Sequence, residues 1–275
     1  MGSGTQPSTL AFGGGATGVA NTEAWNGSSW TELADLATAR KINLGQVYYN
    51  SGSNAFKVTQ TVFGTGAWSS GGNLNQARSQ GGNNASGGSA SIGLVSGGNK
   101  YSPGASYDNT EIYNGTAWTE VNNINTTRGY STGAGTPAGA LVVSGNTAPA
   151  TTRAQVESWD GTNWTETTDV NQGRTILAGG GSSTSALVAG GNPGSSPYAT
   201  VNVETWDGTS WTEVTNLNTV RNGANAAASS NTAVLIFGGA NFIPSATYYA
   251  ITESWNGTSW TEVADLATAR YNGTS

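Results

Sequence analysis

The groups able to do chemistry in this 275-residue chain are few, and they fall at repeating positions. Of sixteen carboxylates, Glu23, Glu111, Glu157, Glu204 and Glu253 precede an aromatic-containing position. Glu32, Glu120, Glu166, Glu213 and Glu262 follow a Trp-Thr pair. Asp160 and Asp207 sit before glycines, Asp35, Asp169 and Asp265 share a third recurring position, and Asp108 stands outside the pattern. Acid–base catalysis needs groups in unlike environments so that their pKa values separate. Glycoside hydrolysis usually needs a carboxyl pair. Acids that repeat in register offer neither, so the chain reads as a non-enzyme. It has no histidine and no cysteine, which removes the commonest general base, the commonest metal ligand and all thiol chemistry. No cofactor and no transition metal are expected. Calcium held by carboxylates and carbonyls stays open, although no loop motif for it is present.

The cationic groups repeat as well. Arg40, Arg78, Arg128, Arg174, Arg221 and Arg270 close successive copies of one stretch, about 46 residues apart on average. Their guanidinium groups have two readings. They hydrogen-bond loop carbonyls or a neighbouring unit's carboxylate, or they form a collar for a carboxylate, sulfate or phosphate. Arg153 lies outside that series, in one of four dissimilar segments: "NKYSPGASYDNT", "NTAPATTRAQV", "NPGSSPYATV" and "NFIPSATYYAIT". Those segments also hold Tyr101, Tyr107, Tyr198, Phe242, Tyr248 and Tyr249. Tyrosine gives contact area and a hydrogen-bonding tip at low entropic cost, so these residues either contact a ligand or cap their own loops.

The elements that must position these groups follow from the repeat. "TEAWNGSSWTELADLATAR" at 22–40 returns as "TESWNGTSWTEVADLATAR" at 252–270, with related copies at 110–128, 156–174 and 203–221 and a degraded one at 60–78. Each alternates with period two and carries Asn-Gly or Asp-Gly at its centre, the signature of a tight hairpin. An apolar run ending in glycine precedes each hairpin, and a small-residue stretch follows each arginine. The unit is therefore four short strands, and a four-stranded unit repeated at this period is a propeller blade. The sequence predicts an all-β fold: six four-stranded antiparallel blades in one domain over 5–275, with 1–4 a remnant of expression. Residues 270–275 are expected to pair with about 8–14, so that the C-terminal strand completes the N-terminal blade and hides the sheet edges. The second blade, about 41–72, is the least regular. The ten tryptophans read as framework, and the dissimilar segments become the connectors between strands two and three, on the same face as the arginines.

The order Gly-Gly, aromatic-Asp/Asn, Trp, Arg resembles the kelch repeat across essentially the whole chain, best kept in "VAGGN…VETWDGTSWTEVTNLNTVR". Gly-Gly becomes Ser144-Gly145 in one copy and is missing from the second blade. The Asn/Gly/Thr-rich style is similar to kelch-like propellers of marine bacteriophages. The copper site of kelch-type galactose oxidase needs histidines and a Cys-Tyr crosslink, so that activity is not implied. "SWDGTNW" differs in spacing from the sialidase Asp-box. The Gly-His signature of the WD40 repeat cannot be present without histidine.

A net charge of −6 with ten basic residues leaves no basic stripe for nucleic acid. No run of about 18 apolar residues is present to insert in a membrane. These observations, with the resemblance, imply a binding or structural module of a virion or extracellular appendage that contacts a glycan or protein on a host or virion surface. The rival readings are a sialidase-like or other carbohydrate-active enzyme and an architectural spacer in a phage structural protein.

Overall fold

The computed structural model describes residues 2–5, 8–12, 21–34, 71–79, 91–100, 105–147 and 151–272. Among them there is no helix, and every strand pairing is antiparallel. The first sheet runs β1 (Gly2–Thr5), β2 (Ser8–Phe12), β3 (Thr22–Trp25), β4 (Trp30–Leu33). The next described sheet has three strands, β5 (Gly93–Ser96), β6 (Thr110–Tyr113) and β7 (Trp118–Val121). A third contains β8 (Thr132–Thr136) and β9 (Gly139–Val143). After a small side hairpin, β10 (Asn146–Thr147) and β11 (Thr151–Thr152), it ends with β12 (Val156–Trp159) and β13 (Trp164–Thr167). The fourth is β14 (Ala178–Ser182), β15 (Ser185–Ala189), β16 (Val203–Trp206) and β17 (Trp211–Val214). The last contains β18 (Asn222–Ser230) and β19 (Ala233–Asn241), with the short β20 (Thr247–Tyr248) beside β19, then β21 (Thr252–Trp255) and β22 (Trp260–Val263). The described residues thus form a β-propeller of five blades with three to four main strands each. The expected second blade, 41–72, lies almost wholly outside them.

Each outer hairpin forms where Asn-Gly or Asp-Gly was read. The Asn or Asp Oδ1 accepts the N–H groups of the residues two and three further on, as Asn114 does from Thr116 and Ala117 at 3.0 Å each. Asp160 makes the same pair of bonds at 2.8 and 2.7 Å. These bonds favour the ionised form and hold the Asp160 carboxyl below its ordinary value. The aromatic residues flanking each turn pack as tilted pairs, with Trp159–Trp164 and Trp206–Trp211 centroids both 5.3 Å apart.

Blades hold together face to face. Leu141, Val143 and Val156 of the third sheet pack on Ala186, Val188, Trp206 and Trp211 of the fourth. Ala11 and Trp25 of the first sheet pack on Ala227, Leu235 and Phe237 of the last. The two ends of the chain therefore meet in one apolar layer.

Among the described residues, the expected pairing of the C-terminal segment with the first blade is not formed. β2 pairs on one edge with β1, in the register Gly2↔Ala11 to Thr5↔Ser8, and on the other with β3. Both edges being filled, the described residues 270–272 join no strand there, and 273–275 lie outside the described residues. The physical reason is local: residues 2–5, separated from β2 by two residues, close at far lower entropic cost than a strand some 260 residues away. "GSGT" is a small-residue sequence like the "TGAGT" and "AGGGS" of strands β8 and β14. The segment read as a remnant of expression includes most of β1.

Candidate functional site

The site is built from the arginine that ends each repeat. Arg78, Arg128, Arg174 and Arg221 each donate from Nη2 to the Oε1 of a glutamate on the third strand of the following blade. The pairs are Arg78–Glu111 at 2.6 Å, Arg128–Glu157 at 2.5 Å, Arg174–Glu204 at 2.7 Å and Arg221–Glu253 at 2.6 Å. Arg270 makes the same pair with Glu23 of the first blade. All ten side chains are buried. Burial lowers the pKa of Arg128, Arg174 and Arg221, and the paired glutamates oppose that shift.

The glutamate's other oxygen is used as well. Glu111 Oε2 accepts the backbone N–H of Asn75 at 2.7 Å and its Nδ2 at 3.0 Å. Glu157 and Glu204 treat Asn125 and Asn171 alike. These asparagines stand in "LNQAR", "INTTR" and "VNQGR". The repeat spells a charge pair whose hydrogen-bonding capacity is filled, the condition under which a buried ion pair is tolerable.

The same guanidinium staples the base of the next connector. Arg174 Nη1 donates to Gly190 O at 3.0 Å and to Asn202 O at 2.7 Å, the two ends of the segment joining β15 to β16. Arg78 bridges Gly97 O and Asn109 O, Arg128 bridges Ser144 O and Gln155 O, and Arg221 bridges Gly238 O and Ile251 O. The Gly-Gly signature follows from this geometry. Gly190 has φ +61°, and a Cβ there would lie 2.5 Å from Arg221 O. The next glycine, Gly191, donates its N–H to that same carbonyl at 3.0 Å. Ser144 takes the left-handed position once, at φ +62°. Its Oγ donates to Arg153 O and accepts from Arg174 N–H, both at 2.7 Å, which offsets the strain.

Three residues before β6, β12 and β21 stand Tyr107, Arg153 and Tyr249, which the sequence marked as ligand candidates. Tyr107 lies over Arg78 with its ring centroid 5.7 Å from Cζ, and Tyr249 lies 5.6 Å from Arg221 Cζ. Tyr107 also accepts a hydrogen bond from Gln76 at 2.8 Å and has Lys100 Nζ 5.0 Å from its ring. Arg153 turns back on Thr147 Oγ1 at 3.2 and 3.3 Å. Tyr107 and Tyr249 thus cover the stapling arginines, and Arg153 bonds within its own segment. Tyr101 and Arg40 lie outside the described residues.

Tyr198 and Tyr248 are each 49% exposed and Phe242 is 38% exposed. Phe242 and Tyr248 meet edge to face at 6.1 Å, together with a residue the sequence reading passed over. Tyr271, just after Arg270, lies 5.1 Å from Phe242 and 6.2 Å from Tyr248. It was missed because the expected closing strand would have placed it inside a sheet. Its signal was that no other repeat carries an aromatic directly after its arginine. The anion collar has no exposed guanidinium among the described arginines of the repeat, since each is paired and buried.

Among the described residues no group of three or more acidic side chains is placed to hold a metal ion. No family model and no curated protein matches the chain. The solved structure of YjhT, 13% identical, superposes on 100% of this chain and 85% of that one with a TM-score of 0.62. At that identity the likeness shows the fold alone, a β-propeller.

Proposed function

We propose that the chain is a six-bladed kelch-like propeller that binds a glycan or a protein through its connector face, without catalysis, as part of a virion or cell-surface appendage. The observation that carries this reading is the contrast between the connectors' bases and their tips. Each base is stapled by a buried arginine, while the tips of the last two carry the exposed rings of Tyr198, Phe242 and Tyr248. Dissimilar loops on a rigid repeating frame are where binding is usually found. The opposite face offers near-identical Asn-Gly and Asp-Gly turns. The non-catalytic part of the reading is supported by the glutamates at the arginine sites, all committed to structural bonds.

Two observations support a sixth blade. Thr110 and Thr252 each accept the indole N–H of the following blade's tryptophan, Trp164 at 3.0 Å and Trp30 at 3.2 Å. Thr22, their counterpart, is buried with no partner for Oγ1 among the described residues. Trp68 of the degraded copy is the tryptophan that a following blade would bring there. In addition, Asn75 and Arg78 engage Glu111 as the linkers that follow a fourth strand elsewhere engage their glutamates.

The test is a glycan array and host-cell pull-down with three proteins: wild type, Tyr198→Ala/Tyr248→Ala, and a turn-face variant, Thr116→Arg/Thr258→Arg. Loss of binding in the tyrosine variant alone is expected. Loss in the turn-face variant alone would reverse the assignment, and turnover of a bound glycan by the wild type would overturn the non-catalytic reading.

A further inference from the structure

Phe242 and Tyr248 come from the last blade's connector, while Tyr271 directly follows Arg270, which pairs with Glu23 of the first blade. The cluster therefore bridges the junction where the chain's two ends meet. Tyr271 is firmly seated. A Cβ at Gly223 would lie 2.2 and 2.5 Å from its ring carbons, so the ring rests on bare backbone. The next residue, Asn272, donates its N–H to Gly223 O at 2.9 Å. Burial pushes the Tyr271 phenol up from its ordinary value, so it stays a neutral hydroxyl at physiological pH.

Among the described residues, the two connectors beside the cluster carry no charged side chain. Residues 190–202 and 241–252 contain no Asp, Glu, Lys or Arg. The nearest arginines, Arg221 and Arg270, are committed to Glu253 and Glu23. Polar groups are nonetheless close. Asn222, Ala240 and Tyr248 form one row across three strands. Asn222 donates to Tyr198 O at 2.8 Å, and its buried Oδ1 has no partner among the described residues.

We infer that the Phe242–Tyr248–Tyr271 cluster is a subsite for one neutral hexopyranose unit, stacked on the exposed aromatic faces with its hydroxyls on neutral tyrosine and asparagine groups. This rests on the reading of the connector face as the binding surface. A pyranose has an apolar C–H face and a rim of hydroxyls, which matches rings set among uncharged polar groups. A charged ligand finds no unpaired counter-charge among the described residues here. A chain of net charge −6 disfavours acidic sugars further. An organic cation needs rings spread around it, whereas these rings already pack edge to face at 5.1 to 6.2 Å.

The experiment is saturation-transfer NMR and calorimetry on the full chain with the methyl glycosides of glucose, galactose and mannose. Glucuronate and choline serve as charged comparators. At least one neutral glycoside is expected to receive saturation from the aromatic protons and to bind in the millimolar range. Tyr248→Ala and Phe242→Ala, both at exposed rings, are expected to weaken binding about tenfold or more with an unchanged melting temperature. Binding of choline or glucuronate in preference to every neutral glycoside overturns the inference, as does wild-type affinity in both variants. If all glycosides fail but the Tyr198→Ala/Tyr248→Ala variant loses a protein or cell partner, the sugar assignment falls and the connector face stands. If partner binding survives in that variant and is lost in Thr116→Arg/Thr258→Arg, both fall.

Discussion

The smallest unit of this protein's logic is a single side chain meeting a neighbour's hydrogen-bonding need. Trp164 and Trp30 give their indole N–H to threonines of the preceding blade, and Trp260 gives its own to Thr215 O at 3.0 Å. Trp211 Nε1 is buried without a partner, because the position held elsewhere by Thr110 or Thr252 is here Val156. Val156→Thr keeps the shape and adds the missing acceptor. It is expected to raise unfolding free energy by about 1 kcal/mol, the net value of one satisfied hydrogen bond, measured by urea denaturation. The Val156→Ala control is expected to fall instead, through cavity formation. No gain in the threonine variant would mean that the orphaned indole is not costing stability. At this scale the sequence was only partly legible. The position of each tryptophan could be read from the repeat, but a missing partner one blade away could not, since it depends on which threonine faces which indole.

At the level of elements, the arginine joins two functions that look separate in sequence. It closes an ion pair with the next blade's third strand, and it bridges the two ends of that blade's connector. Arg174→Met should leave Glu204 buried and unpaired, costing about 3–5 kcal/mol. It should also release the segment between Gly190 and Asn202. Hydrogen exchange is expected to accelerate there while the 97–109 segment, held by Arg78, keeps its protection. Equal acceleration in both segments would mean that the staple is not local. Much of this was legible. The Asn-Gly turns, the period-two strands and the arginine series follow from spacing and composition. Of the two readings of the arginines, the geometry selects pairing with the neighbour's carboxylate. The split among the tyrosines was not legible: Tyr107 and Tyr249 cover arginines while Tyr198 and Tyr248 stand out in solvent. All four lie in non-repeating segments, where no second copy tells which way a ring turns.

For the whole molecule, the question is how a repetitive sheet protein joins its ends. Exchange of a strand between the termini was expected, since repeats at both ends suggested one shared blade. Instead Gly2–Thr5 fills the inner edge locally, and the join is made by side chains. Ala11 and Trp25 pack on Leu235 and Phe237, Ala267 N donates to Glu23 Oε2 at 2.7 Å, and Arg270 pairs with Glu23 across 247 residues of sequence. The last junction is therefore built like the internal ones, and its arginine also leads directly to Tyr271 at the proposed sugar subsite. The most direct measurement is a double-mutant cycle on Arg270→Met and Glu23→Gln, read by urea unfolding. A coupling of about 2–3 kcal/mol is expected, with faster exchange of the first blade in either single variant. Additive effects, with first-blade exchange unchanged, would contradict closure through this pair.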